Sequence, residues 1–286
     1  MKIQKIPRKA LDIKYSGRSS DYITPSFGYG CLYKCSYCYM RRHRPEHLTI
    51  SINTAEILDS IIYHHNSLPV KTPNQTHSSK WTYDISCNED FALHLKYHKW
   101  EYILESLISE DIFPTFATKY VNKKLLEFNP NRNARIRFSL MPQELSTQLE
   151  PNTSLIVDRI RAVNTFYKAG WDVHLNFSPV IVNYGTDKMY LDLFNLIDSI
   201  IDDSIKPFIQ SEVILLTHNK KMHEYNLKNK ISGEEILWQP ERQEEKISSY
   251  GSKNLRYQHV LKQKYIEHFK TIYNQYIPWC NIRYIF

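Results

Sequence analysis

Three of the chain's five cysteines, Cys31, Cys35 and Cys38, stand within eight residues in the run "FGYGCLYKCSYCYMRRH". The spacing is Cys-x3-Cys-x2-Cys. Thiolates are the ligands of soft metals and of iron–sulfur clusters, and a cluster in a reducing compartment binds metal more often than it forms disulfides. Two kinds of centre fit the residues. Three thiolates can hold three irons of a [4Fe–4S] cluster and leave the fourth iron open. Alternatively, Cys31, Cys35, Cys38 and His43 provide a Cys3His donor set for zinc, although the spacing is unusual for a zinc finger. Tyrosines flank the third cysteine on both sides, at Tyr37 and Tyr39, and the bases Arg41, Arg42, His43 and Arg44 follow.

The elements that must position these residues read as alternating strands and helices. Strand-like runs occur at Trp81–Cys87, Phe113–Lys119, Arg135–Leu140, Asp172–Val182 and Ser211–Leu216, rich in β-branched and aromatic residues. Helical patterns lie between them. One starts at Thr54, read as its N-cap. A second runs from Phe91 to Ile108 with Leu93, Tyr97, Trp100, Ile103, Leu104 and Leu107 on one face. A third ends at Gly170, a C′ glycine. The alternation predicts an α/β fold with a parallel sheet, open or barrel-like, whose chemistry sits at the C-terminal strand ends. Cys87, Lys119 and Ser139 fall there. After Leu216 the alternation weakens. A basic polar stretch, a turn around Gly251, a helical pattern from about Val260 to Tyr276 and a final strand "CNIRYIF" follow. The expected division is a core over 1–216 and an extension over 217–286 packed on it as one structural unit.

The cysteine run resembles the radical S-adenosylmethionine superfamily, whose signature has this spacing and an aromatic residue before the third cysteine. More specifically, "GCLYKCSYCYMRRH" is similar to the spore photoproduct lyases, which carry a tyrosine on each side of that cysteine. The likeness continues at "DISCNED", "PTFATKYV", "RIRFSLMPQ", "LEPNTSLIVD" and "SYGSKNLRYQ". It implies a partial (β/α)6 TIM barrel with a C-terminal hairpin, helix and strand. It implies a [4Fe–4S] cluster on Cys31, Cys35 and Cys38, and S-adenosylmethionine held by Tyr37, Lys119 and Ser139. It implies Cys87 as hydrogen-atom donor, with Tyr37 and Tyr39 returning the hydrogen, and a DNA-probing hairpin with Tyr250, Lys253 and Arg256. Where the family has Thr-Ser after the catalytic cysteine, this chain has Asn88 and Glu89, so Glu89 is expected to replace a serine contact to the cofactor. Ser249 replaces the family's arginine before the hairpin tyrosine.

The implied activity is reversal of a methylene-bridged thymine dimer in DNA. Two rivals remain at this point. One is a radical enzyme that modifies or rearranges a thymine side group, with Glu89 on a polar substituent. The other is a non-catalytic DNA-binding protein with a structural metal site. Composition bounds the partners. The formal charge is +7 with 21 tyrosines and five tryptophans, which suits a polyanion with stackable bases but also follows from an AT-rich coding bias. No apolar run is long enough to span a bilayer, and "MKIQKIPRKA" lacks the apolar stretch of a secretory signal. The expectations are a cytoplasmic monomer, no membrane partner, damaged or modified DNA as substrate, and an electron donor such as flavodoxin or ferredoxin.

Overall fold

The structure is a computed structural model that describes residues 2–43, 46–182, 186–247, 251 and 253–286. Its main sheet has eight strands arranged in chain order: β1 (Lys14–Tyr15), β2 (Tyr22–Ile23), β3 (Thr82–Asp84), β4 (Phe113–Thr118), β5 (Arg135–Leu140), β6 (Asp172–Val180), β7 (Gln210–Leu215) and β8 (Asn281–Ile285). β1 and β2 pair antiparallel, and every other neighbouring pair is parallel. Helices pack on one face, as parallel crossovers require. The architecture is a half-barrel.

One side chain demonstrates the curl. Arg137 on β5 donates to Asp84 on β3 at 2.6 Å and to Glu212 on β7 at 2.8 Å. In a flat sheet strands four positions apart are separated by about 19 Å, at about 4.8 Å per neighbour. One guanidinium reaches both carboxylates only because the sheet wraps around it.

Side chains alternate between faces along each strand. On β5, Arg135, Arg137 and Ser139 line the concave face, while Ile136, Phe138 and Leu140 pack under helices. Concave ion pairs also join Arg135 to Asp172 and Arg283 to Glu212. The apolar core lies between the convex face and the helices: Phe116 and Phe138 of the sheet meet Trp171 and the helical Phe166, and Phe177 meets Phe194, Phe269 and Tyr273 from the last helices.

The expected elements form with three adjustments. The helix Thr54–Asn66 takes Asn53 as its cap residue, so Thr54 is the first helical position. The predicted run from Phe91 breaks into Phe91–His94, a 3-10 turn Leu95–Tyr97, and Trp100–Ser109. The break has a cause: His98 is extended, and its ring turns to Glu89. The strand expected over Trp81–Cys87 ends at Asp84, and Cys87 lies in a turn beyond it, closed by Glu89 N–H to the Ser86 carbonyl at 3.2 Å. By contrast, the helix Ile156–Lys168 ends as expected, with Gly170 at φ +95°.

Two smaller sheets attach to the half-barrel. Gly28–Tyr29 pairs antiparallel with His47–Ser51, which pairs with Lys2–Ile6, so the cysteine run is an excursion between two paired strands. Gln243–Ile247 and Lys253–Tyr257 form an antiparallel hairpin, joined by Thr217–His218. The helix His259–Tyr276 then leads to β8, which pairs with β7. No helix among the described residues is long and apolar enough to cross a membrane.

Candidate active site

The cysteine loop lies over the C-terminal end of the half-barrel. Cys35 is buried, and Cys31 and Cys38 are half-buried. Cys38 N–H donates to the Cys35 carbonyl at 3.1 Å, turning the chain into the short helix Tyr39–His43. Burial pushes all three thiols up. For Cys38 the Met40 and Arg41 backbone amides oppose that rise by donating to the sulfur. Thiols so placed would need a bound cation to ionise, and the amides are placed to receive the sulfur charge.

Below the loop sits an acidic residue of the "LEPNTSLIVD" run to which the sequence alone assigns no role. Glu150 is buried, and its Oε2 accepts from Arg159 Nη1 at 2.9 Å and Ser146 Oγ at 3.2 Å. Its Oε1 accepts from the Tyr37 hydroxyl and lies 3.8 Å from Lys119 Nζ. Arg159 is fully buried and also donates to the carbonyls of Ser139 and Ser154 and to Thr153 Oγ1. Arg159 therefore neutralises Glu150, and the Lys119 charge remains over for an anionic neighbour. Burial disfavours that charge, but Glu150 and Cys35 outweigh it, so the Lys119 ammonium is held above its usual range. Lys119 also lies 5.7 Å from the centre of the Tyr37 ring.

Ser139 is buried on the concave face, and Asn176 Nδ2 approaches its hydroxyl at 3.4 Å. Nearby on the same face, Asn176 Oδ1, Thr115 Oγ1 and Arg137 Nε are buried without partners. Buried polar atoms are normally paired, and these would be satisfied by a polar molecule lying in the half-barrel.

The two tyrosines diverge. While Tyr37 turns down to Glu150, Tyr39 turns to the β3 turn, where its hydroxyl donates to Asn88 Oδ1 at 2.7 Å and lies 3.1 Å from the Cys87 carbonyl. It is also within hydrogen-bonding reach of the Cys87 thiol. Cys87 is exposed at the mouth of the site, yet surrounding protein pushes its thiol up to about 11, with Asp84 adding to the rise. At neutral pH it carries S–H.

Glu89 departs from expectation. Its side chain has no exposed surface, and its Oε2 accepts from His94 Nδ1 at 2.9 Å and His98 Nε2 at 2.8 Å. Burial opposes its charge, but His98 and His94 more than offset this and hold the carboxyl at about 2. The expected cofactor contact is corrected to an inward one, and the carboxylate presents no surface to a polar substituent either. His94 accepts from Leu32 N–H at 3.2 Å, so this buried triad also holds the chain beside Cys31. It leaves no room at Gly28, where an added Cβ would stand 2.3 Å from Glu89 Oε2. Gly28→Ala is therefore expected to cost about 1–3 kcal/mol by overpacking. Urea denaturation of Gly28→Ala, Glu89→Ser and the double variant checks this, since the shorter serine side chain in the double variant should relieve the clash.

In the hairpin, Lys253 is exposed and paired with Glu245 at 2.9 Å. Arg256 is half-buried, with its guanidinium 5.0 Å from the centre of the Phe286 ring. Tyr250 and Ser249 lie outside the described residues. Cys280 is buried, as expected of a core residue.

A family model for spore photoproduct lyase matches residues 5–286. The chain belongs to the spore photoproduct lyase family. Among curated proteins, it is 28% identical over 214 residues to the spore photoproduct lyase of Bacillus subtilis (strain 168), covering 72% of this chain and 59% of that protein. It is 25% identical over 194 residues to that of Geobacillus sp. (strain Y412MC61), covering 65% of this chain and 54% of that protein. The chain thus spans less than two thirds of the length of these family members. A solved mutant spore photoproduct lyase with bound AdoMet and dinucleoside spore photoproduct superposes with a TM-score of 0.87 at 18% identity, covering 99% of this chain and 82% of that one. That likeness carries the half-barrel fold.

Proposed function

We propose that this chain is a radical S-adenosylmethionine lyase that returns a methylene-bridged thymine dimer in DNA to two thymines. The observation that carries this reading is the Cys87 turn: an exposed S–H held against the Tyr39 phenol, beside the cysteine loop of a member of this family. Cys31, Cys35 and Cys38 are the residues to hold a [4Fe–4S] cluster, and Lys119 and Ser139 with the unpaired concave atoms are those to hold S-adenosylmethionine. Bound there, this pair supplies a hydrogen-abstracting radical, fed by a one-electron donor of the flavodoxin or ferredoxin kind.

The chain's own residues do the rest. Cys87 donates its hydrogen atom to the thymine methylene radical left when the bridge breaks, becoming a thiyl radical. Tyr39, in contact with it, donates a phenolic hydrogen back to sulfur. Tyr37 stands by Glu150, which fixes its hydroxyl. The lesion must leave the base stack to reach Cys87. Arg18, Arg256 and Lys262 gather around the Phe286 ring, 3.8, 5.0 and 4.8 Å from its centre, and none is paired with a carboxylate among the described residues. A phosphate backbone is the natural counter-charge for such a group.

The test is anaerobic incubation of the reconstituted protein with S-adenosylmethionine, a reductant and DNA bearing a defined methylene-bridged dimer. About four irons per chain and restoration of two thymines in the DNA are expected. Metal-free protein, or intact lesion after cofactor cleavage, refutes the reading. The pH profile probes Cys87 itself. An ordinary thiol, with a pKa of about 8.5, is mostly thiolate at pH 9 and a poor hydrogen-atom donor. Because the Cys87 thiol is pushed up to about 11, its donor form persists as pH rises through 9. The ratio of thymine to side products should hold from pH 7 to 9, whereas a fall centred near 8.5 contradicts a donor thiol that stays protonated.

A further inference from the structure

We infer that His218, His223 and Glu234 form a binding site for a zinc-class divalent cation beneath the cysteine loop. The three residues come from separate segments of the extension: the strand Thr217–His218, the helix Lys220–Lys228 and the start of the helix Glu234–Leu237. Their ligand atoms all lie within 4.8 Å of one another. His218 Nε2 stands 2.9 Å and His223 Nδ1 2.6 Å from the same oxygen, Glu234 Oε1. Two imidazoles and a carboxylate are a donor set suited to zinc.

The surroundings are those of a metal site. Asn226 Nδ2 holds the other carboxylate oxygen, Oε2, at 2.5 Å and so aims Oε1 at the two rings. His223 is fixed by stacking on Trp238, with ring centres 3.8 Å apart and planes 12° apart. Outer partners that fix ligand orientation are a regular part of such sites. The charge suits a cation. Glu234 is buried, and among the described residues no lysine or arginine pairs with it. Hydrogen bonds from His218, Asn226 and His223 outweigh its burial and hold it ionised.

There is room and access. A cavity of about 280 Å³ opens beside the triad, lined by His223, Asn226, Glu234 and Trp238 and also by the charged Lys230 and Glu235 and the apolar Leu227 and Ile231. It leaves positions for water on the ion. Donors about 2.0–2.1 Å from a tetrahedral zinc stand about 3.3 Å apart. His218 would therefore withdraw from Glu234 Oε1 by about 0.4 Å and His223 by about 0.7 Å, and His223 borders the cavity. The role is a brace. Asn226 Nδ2 also donates to the Ser36 carbonyl at 3.0 Å, and Ser36 Oγ donates to the Ser232 carbonyl at 2.9 Å. An ion on the triad would thus stiffen the support under the chain between Cys35 and Cys38.

The experiment removes the competing thiols. In the full chain with Cys31, Cys35 and Cys38 replaced by alanine, zinc titrated calorimetrically should bind one ion per chain. His223→Gln in that background should weaken binding by at least about 100-fold, the upper end of the loss from one outer-shell partner. Folded thiol-free protein that retains no zinc, or equal binding with His223→Gln, overturns the site. If the thiol-free chain does not fold, cobalt is titrated into the wild-type chain and its His223→Gln variant. A cobalt with ligand-field bands but no sulfur charge transfer, lost in His223→Gln, supports the site. Absence of that cobalt, or its persistence in the variant, overturns it.

Discussion

Cys87→Ala is expected to leave the fold and the cluster loop intact and to abolish clean repair. The thiol is exposed, so truncation creates no sealed cavity, and its stability cost should stay within about 0.5 kcal/mol. Its chemical cost is of another order. The bridge in the lesion should still break, because that step comes before the thiol acts. The methylene radical then lacks its donor and is trapped by other species. The yield of thymine should fall by at least about tenfold, equivalent to about 1.4 kcal/mol of lost preference for the right product. Tyr39→Phe should behave differently, since the phenol lies behind the thiol rather than on the substrate. Its first product should be correct, and later turnovers should fail. Chromatography of the products, alongside urea denaturation, separates the two variants. Thymine formed by Cys87→Ala at the wild-type rate and purity would remove Cys87 from the chemistry.

The second large effect is structural. Glu150→Leu leaves the fully buried Arg159 guanidinium without its carboxylate, and breaking a buried pair in this way costs about 3–5 kcal/mol. Glu150→Leu combined with Arg159→Leu should recover part of that loss, because no charge then remains stranded. Denaturant midpoints of the two single variants and the double variant measure the coupling. Additive losses would show that the two groups do not depend on each other. The single Glu150 variant should also release the Tyr37 hydroxyl and loosen Lys119, so S-adenosylmethionine binding should weaken along with stability.

The sequence was most legible where a signal is local. β5 forms over the residues read as a strand, Arg135–Leu140, and β4 differs from its expected run by one residue. The cysteine spacing and its flanking tyrosines led directly to the family. What was hidden depends on pairings between distant residues. Glu150 and Arg159 carry no periodic signal as a pair: each charge is buried because the other is, and only the folded chain makes that visible. Glu89 looked like a cofactor ligand from its place after Cys87. The histidines that claim it lie five and nine residues farther on, on either side of a helix break that an apolar pattern does not register. Tyr37 and Tyr39 are equivalent in the motif. Separated by Cys38, they serve opposite ends of the site.

The place of β8 has a consequence for synthesis. Asn281–Ile285 pairs with β7, and Arg283 reaches back to Glu212 and to the carbonyls of Ser19 and Gln75. The ribosome delivers Cys31 about 250 residues before that strand, and a domain folds as a unit only when its distant partners are present. During that interval the edge of β7 is bare, and Glu212 lacks one of its two guanidiniums. The nascent cysteine loop waits above an incomplete scaffold. Cluster loading should therefore be largely post-translational, and ribosome-stalled chains ending before Asn281 should take up iron poorly compared with released protein.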